Sequence, residues 1–416
     1  MLILRTLFGI AMFCAICWLL STHRNRFPWR TVLWGLALQF VLALIVLKTS
    51  LGQRVFQGLT DLTTHLIGLT EPGARMVFGP LADGKFGFVF AFAGTGLLAI
   101  IFFSTLMSVL YHLRVMQVVV WALARVMTAF LGVSGAEATA MAANIFLGQT
   151  EAPLVVKPYV ARMTNSELNS LMVGGFASIA GSVMAIYIGM IGPEYGMHLL
   201  AASVMSAPAA FVVAKIMIPE TEQPVTSGKV ELRFERDAHN VIEAAANGTT
   251  DGLKLWLNVI AMLIAFTALV ALVNWPLEWL GGQAGLEGGL SLSRIFGWVF
   301  APLAWITGVD GWNDCQLFGS LMGTKVALNE FIAYDAMRNM LPGSGGPSVF
   351  EHERSAKMAA YALCGFANFA SVGIQIGGIT PLAPERKADI SRIALRAMLG
   401  GAIATWMMAC VAGALL

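Results

Sequence analysis

Gly175-Phe-Ala-Ser178-Ile179-Ala-Gly181-Ser-Val183 returns, altered, as Gly365-Phe366-Ala-Asn368-Phe369-Ala370-Ser371-Val-Gly373 in the second half of the chain. Both stretches interrupt long apolar runs with glycine and short polar side chains. Each follows another interrupted apolar segment that carries an acid: Gly148-Gln149-Thr150-Glu151-Ala-Pro153 before the first, Asn329-Glu330 before the second. Irregular backbone at membrane depth persists only where protein or a water-filled cavity surrounds it. Such breaks at corresponding positions of two halves point to the binding site of a secondary transporter.

The composition supports a membrane setting. Of 416 residues, 57% are hydrophobic and 12% charged, against about 25% charged in a soluble domain. That leaves too little polar surface to face water, so the chain reads as a polytopic membrane protein. The net charge of +2 gives no sign of a nucleic-acid partner. No cleavable signal peptide is expected, because the apolar run from Ile3 to Leu20 leads into Arg24, Arg26 and Arg30. Five cysteines are too few and scattered for a disulfide framework. Cys14 and Cys17 fall within an apolar run, and the histidines lack metal-ligand spacing, so neither a redox centre nor a metal enzyme is expected.

A helix needs about 20 mostly apolar residues to cross the bilayer. Candidate spans are 3–21, 29–49, 86–110, 167–191, 194–217, 255–280, 353–382 and 388–414. Regions 134–162 and 295–340 are apolar but laced with Gly, Pro and acids, which suits hairpins that enter and leave on one side. The expected fold is therefore all-α, with eight transmembrane helices, two re-entrant helical hairpins and inverted repeats with broken helices. Residues 1–133 are expected to form N-terminal spans and 134–217 the first repeat. A cytoplasmic linker is expected over 218–254, a separating span over 255–294, and the second repeat over 295–416. The single span between the repeats inverts the second copy. The positive-inside rule places Arg24–Arg30 and the Arg386, Lys387, Arg392, Arg396 loop in the cytoplasm, and both termini outside. Part of 50–85 is expected to lie on the membrane surface as an amphipathic helix.

The polar groups within these spans are Asn144, Gln149, Thr150, Glu151, Ser178, Glu330, Asn368, Ser371 and Gln375. A charge at mid-bilayer costs at least ~2.5 kcal/mol, so acids there face a pathway or cavity. Serines, by contrast, also serve as interhelical glue, and Lys325 could serve as a structural counter-charge for Glu330. The set offers carboxylates and amides but no basic cluster, which disfavours phosphate or carboxylate substrates. It suits a neutral or cationic solute bearing hydroxyls or amides. Gln149 can pair with a base edge in the bidentate manner of amides, and Glu330 with Asn368 suits vicinal hydroxyls. Phe366 and Phe369 offer an aromatic face or simple packing. Asn144 and Ser178, with backbone carbonyls at Leu147 and Ile179, make an all-oxygen set that suits a sodium ion.

Asn144-Ile-Phe-Leu147-Gly-Gln149-Thr150-Glu151-Ala-Pro-Leu154, Lys325-Val-Ala-Leu-Asn329-Glu330-Phe331 and Gly365-Phe366-Ala-Asn368-Phe-Ala-Ser371 resemble the signature motifs of the concentrative nucleoside transporter family. The resemblance covers nearly the whole chain and is strongest over 85–416. It implies ion-coupled nucleoside uptake, uridine and related nucleosides included, by a homotrimer in the cell membrane, with a transport domain (134–217 and 295–416) moving elevator-fashion against a scaffold (mainly 1–133, with the span 255–294). It also implies that Gln149, Thr150 and Glu151 contact the nucleobase, that Val183 and Phe366 pack against it, and that Glu330, Asn368 and Ser371 bind the ribose. Asn144, Leu147, Ser178 and Ile179 would hold sodium. Where the better-known pattern has serine after Phe369, this chain has Ala370. Proton-coupled members tend to carry serine at the position of Asn144 and a Gly-Gln-Ser-Glu hairpin, so Asn144 and Thr150 favour sodium. Rival readings are a proton-coupled nucleoside symporter, a passive channel, and an intramembrane enzyme that uses Glu151 and Glu330 as an acid–base pair. No cofactor beyond the coupling ion is expected.

Overall fold

The computed structural model describes residues 2–79, 97–227, 238–283, 285, 289–342, 344–346 and 349–416. Every helix or strand among them is helical. The chain opens with α1 (Leu2–Leu19) and α2 (Trp29–Lys48), close to the expected bounds, and continues with α3 (Ser50–Gly68) and α4 (Glu71–Phe78). Gly52, Thr60 and Ile67 of α3 face inward, leaving much of the helix, Arg54 and Asp61 included, exposed.

The first part of the expected 86–110 span lies outside the described residues. The described remainder is α5 (Ala99–His112), which turns by 77° into α6 (Val115–Leu131). No expected span corresponds to α6. Arg114 sets the corner in a left-handed conformation (φ 63°), so the apolar pattern stops and restarts there.

α7 (Gly135–Asn144), α8 (Ala152–Val155), α9 (Lys157–Val160), α10 (Asn165–Ala177), α11 (Gly181–Ile191) and α12 (Gly196–Met217) follow. Ser134 and Thr164 start α7 and α10 with capping boxes closed by Glu137 and Glu167, each satisfying two orphan backbone donors. Lys215 of α12 ties these helix starts together. Its Nζ lies 2.7 Å from Glu137 Oε2 and donates to Ser166 Oγ at 3.0 Å.

α13 (Val241–Gln283) begins inside the stretch expected to be a linker over 218–254. Asn240 Oδ1 accepts the Glu243 N–H, and Glu243 Oε2 accepts the His239 N–H, so a capping pattern starts the helix well before its apolar segment. The glycosylation-like Asn247-Gly-Thr249 is helical as a result. Gly248 and Gly252 let α13 press on α5: a Cβ on Gly248 would sit 2.8 Å from the Ser104 carbonyl oxygen. Small residues four apart commonly permit such close helix approach in membranes.

The region expected as one hairpin over 295–340 contains α14 (Leu292–Thr307), α15 (Trp312–Ala327) and α16 (Glu330–Arg338). α14 and α15 meet at 111°, around Gly308 and Gly311, both with positive φ. α17 (Glu353–Leu363), α18 (Phe369–Ile379) and α19 (Lys387–Leu415) complete the chain. Among the described residues five helices are long and apolar enough to cross a membrane, or up to seven if each bent pair counts as one span. α10–α11 and α12 lie at the centre, with 89% of their most apolar windows buried, whereas that of α13 is 6% buried. α13 thus presents an apolar flank outward.

Candidate functional site

Two helix breaks meet in the buried centre. α10 stops at Ala177, and Ser178 (φ −120°, ψ 165°) and Ala180 (φ −64°, ψ 144°) are extended before α11. Opposite, α17 stops at Leu363, and extended Asn368 restarts the chain as the N-cap of α18, its Oδ1 accepting the Ser371 N–H at 2.8 Å. A third interruption, between α15 and α16, is closed the same way by Asn329, whose Oδ1 accepts the Ile332 N–H at 2.9 Å. At the second and third breaks polar caps have therefore replaced helix hydrogen bonds where membrane backbone would otherwise be unsatisfied.

These caps aim side chains at one another. Because Asn368 Oδ1 is engaged by Ser371, its NH₂ faces Glu330 and donates to Oε2 at 3.0 Å. Tyr187 of α11 donates its hydroxyl to Glu330 Oε1, also at 3.0 Å, and is held by stacking on Tyr334 with ring centroids 4.3 Å apart. From the first half, Gln149 Nε2 donates to Ser371 Oγ at 3.2 Å. Gln149 Oε1 accepts from Gln375 Nε2 at 3.2 Å, and the same nitrogen donates to the Met172 carbonyl at 3.1 Å. Gly175 makes room for this amide pair: a Cβ there would lie 2.6 Å from Gln375 Nε2 and 3.0 Å from Gln149 Cβ. The result is a polar chain, Gln375–Gln149–Ser371–Asn368–Glu330–Tyr187, drawn from both halves of the sequence. Gln149, Asn368, Ser371 and Glu330 are all buried.

A second feature lies beside the first break. Asn144, at the end of α7, is 1% exposed, and neither its Oδ1 nor its Nδ2 has a hydrogen-bond partner. Its amide abuts Gly174, where a Cβ would sit 3.0 Å from Nδ2, and the Ser178 hydroxyl donates to the Gly174 carbonyl at 2.8 Å. Among the described residues no hydrogen bond ends on the carbonyls of Leu147 or Ile179, both buried in non-helical backbone. An unsatisfied buried amide is costly. A hard cation that takes oxygen ligands is the chemistry these groups fit.

Three family models match in succession: Na+ dependent nucleoside transporter N-terminus over residues 8–81, nucleoside recognition over 96–194, and Na+ dependent nucleoside transporter C-terminus over 198–413. An uncharacterized transporter of Haemophilus influenzae is 43% identical, the match covering 99% of this chain and 98% of the relative. The chain belongs to the Na+ dependent nucleoside transporter family. Solute carrier family 28 member 3 of Mus musculus is 42% identical over 98% of this chain, which spans 58% of that longer protein. CNTnw in an inward-facing substrate-bound state is 38% identical, with a TM-score of 0.91 and coverage of 100% of this chain and 98% of that one. CNTnw variants in outward-facing and intermediate states match with TM-scores of 0.91 and 0.92.

As a member of this family the chain is an integral membrane transporter and not an enzyme. The remaining expected residues are placed unequally around the polar chain. Thr150 packs on α18, where a Cβ on Gly378 would meet its Cγ2 at 2.6 Å. Val183 is buried one helical turn before Tyr187, Phe366 is half-buried, and Phe369 is 57% exposed. Glu151 is not part of the polar chain. It is exposed, and its Oε2 accepts the N–H of Gly148 in its own turn at 3.2 Å. Nor does Lys325 pair with Glu330. It donates to the Ala362 carbonyl at 2.8 Å and to Thr405 Oγ1 at 3.0 Å, which secures the severed end of α17.

Sequence reasoning missed Tyr187 and the roles of Gly175 and Gln375. Tyr187 sits in a uniformly apolar run, and the available signal was its spacing four residues after Val183, on the same helix face.

Proposed function

We propose that the protein is a secondary active symporter that imports nucleosides, uridine among them, coupled to inward sodium flux and working by elevator-type alternating access. The observation that supports this most is the buried chain from Gln149 through Ser371 and Asn368 to Glu330. One end offers an amide to a base edge, the other a carboxylate to paired ribose hydroxyls, and the polar chain itself contains no basic residue. In this reading Gln149 and Thr150 take the base, with Glu151 at the outer edge through water, and Val183 and Phe366 flank the ring. Glu330, Asn368 and Ser371 bind the sugar. Asn144, Ser178 and the carbonyls of Leu147 and Ile179 take sodium, which steadies the tip that carries Gln149. Sodium and nucleoside must then raise each other's affinity by the same factor.

The proposed arrangement has eight membrane spans and two re-entrant hairpins, with both termini outside. Residues 1–133 and 255–294 act as scaffold, and 134–217 and 295–416 form two inverted halves of the moving unit. The 218–254 segment leads from the first half, on the cytoplasmic side, into the 255–294 span. Three copies assemble in the cell membrane through the scaffold, for which the outward apolar flank of α13 is suited.

The test is uptake of labelled uridine into proteoliposomes with sodium and proton gradients imposed separately. Accumulation above equilibrium with sodium alone is expected. Accumulation driven by a proton gradient in sodium-free medium would establish the proton-coupled alternative, and equilibration without accumulation a passive channel.

A further inference from the structure

Away from the polar chain, a surface cavity of about 660 Å³ opens where the α1–α2 connection, the end of α12 and the first turns of α19 converge. His23, Glu222, Arg392, Leu395, Arg396 and Leu399 are among its lining residues. Its charges are incompletely matched. Arg392 shares one carboxylate, Asp389, with Arg386. Arg396 is half-buried, and among the described residues it has neither an ion pair nor a hydrogen bond. Among the described residues Glu222 is the one carboxylate on the lining. Residues 392, 395, 396 and 399 follow helical spacing on one face of α19. Leu395 is 54% and Leu399 43% exposed on that face. From the polar start of α19, the guanidinium of Arg392 therefore precedes an exposed apolar strip that runs into the membrane-spanning part.

We propose that this cavity binds the phosphate-bearing headgroup of an anionic phospholipid, with Arg392 and Arg396 on the phosphate and the acyl chains along Leu395 and Leu399. Basic pockets between membrane helices bind such headgroups, and the volume lies within the range of small-ligand sites. The shared chemistry is a phosphate anion. The exposed leucines favour a lipid over free phosphate, since a soluble anion gains nothing from them. The proposal holds whatever solute the protein carries.

Native mass spectrometry of the full chain in mild detergent tests it, with phosphatidylglycerol and phosphatidylcholine of matched chains and, separately, inorganic phosphate. Phosphatidylglycerol should be preferred over phosphatidylcholine by about 25-fold, roughly fivefold for each of the two arginines near the anion. The Arg392→Gln/Arg396→Gln double variant should lose that preference. Leu395→Ser/Leu399→Ser should weaken the lipid and spare inorganic phosphate. Equal retention of both lipids, an unchanged preference in the arginine variant, or inorganic phosphate bound as tightly as phosphatidylglycerol would each overturn the proposal. Should the arginine variant fail to fold, the wild type decides. Its preference should collapse at about 0.5 M salt, where charges are screened within a few ångströms, and a salt-insensitive preference would be contrary.

Discussion

Replacing Glu330 with glutamine removes one charge and little volume, and the surroundings define what should follow. Glu330 accepts two donors, Tyr187 on Oε1 and Asn368 on Oε2, each at 3.0 Å. Asn368 is locked with its NH₂ forward by the Ser371 N–H, so the glutamine oxygen must face Asn368 and its NH₂ must face Tyr187. The tyrosine hydroxyl can rotate to accept, and the fold should survive. The ribose side loses a charged acceptor. A hydrogen bond to an ionised group contributes ~1.5–3 kcal/mol and a neutral one ~0.5–1.5. Two ribose hydroxyls should therefore lose about 2–3 kcal/mol together, a factor of roughly 30–150 in affinity. Calorimetric titration of detergent-solubilised wild type and Glu330→Gln with uridine and with 2′,3′-dideoxyuridine forms a double-mutant cycle. The wild type should lose that much more than the variant when the hydroxyls are removed. If both proteins lose the same factor, Glu330 does not read the sugar and the reasoning fails.

Asn144→Leu should make uridine binding indifferent to sodium and should leave thermal stability unchanged or raised, because the asparagine buries an amide with no partner; binding that still tightens with sodium would contradict this. Gly175→Ala should displace Gln375 and disturb its bond to Gln149, lowering uridine affinity by about 5- to 10-fold, the worth of one such bond, with little change in melting temperature. Lys215→Met should be severely destabilising, by about 3–5 kcal/mol, since it strands Glu137 in a site where the pair is 5% and 1% exposed. Melting in detergent should recover in Glu137→Gln/Lys215→Met, and equal melting of Lys215→Met and wild type would argue against the pair.

The parts of the fold legible in the sequence were those where local chemistry left one option. A run such as Gly365-Phe-Ala-Asn368 sets a glycine and an amide inside an apolar segment, which marks the break, and the structure shows Asn368, like Asn329, to be an N-cap there. What stayed hidden depended on groups distant in sequence or on patterns that mimic others. Tyr187 looks like core until Glu330, which is remote in sequence, is seen to lie 3.0 Å from its hydroxyl. The pairing of Glu137 with Lys215 is equally non-local. α13 starts at an Asn240–Glu243 cap inside polar sequence that reads as linker, and the positive φ of Arg114 separates α5 from α6 without a glycine to announce it. Glu151, the other acid beside a break, accepts the Gly148 N–H of its own turn, a local bond that its type and position do not announce.

In the proposed mechanism, side chains from both halves hold one nucleoside between two helix breaks. Electron cryo-microscopy of the protein with uridine and sodium tests this directly. The base edge should lie within hydrogen-bonding distance of Gln149, and the ribose hydroxyls should reach Glu330 and Asn368. A nucleoside bound elsewhere, or held by residues of one half alone, would contradict it.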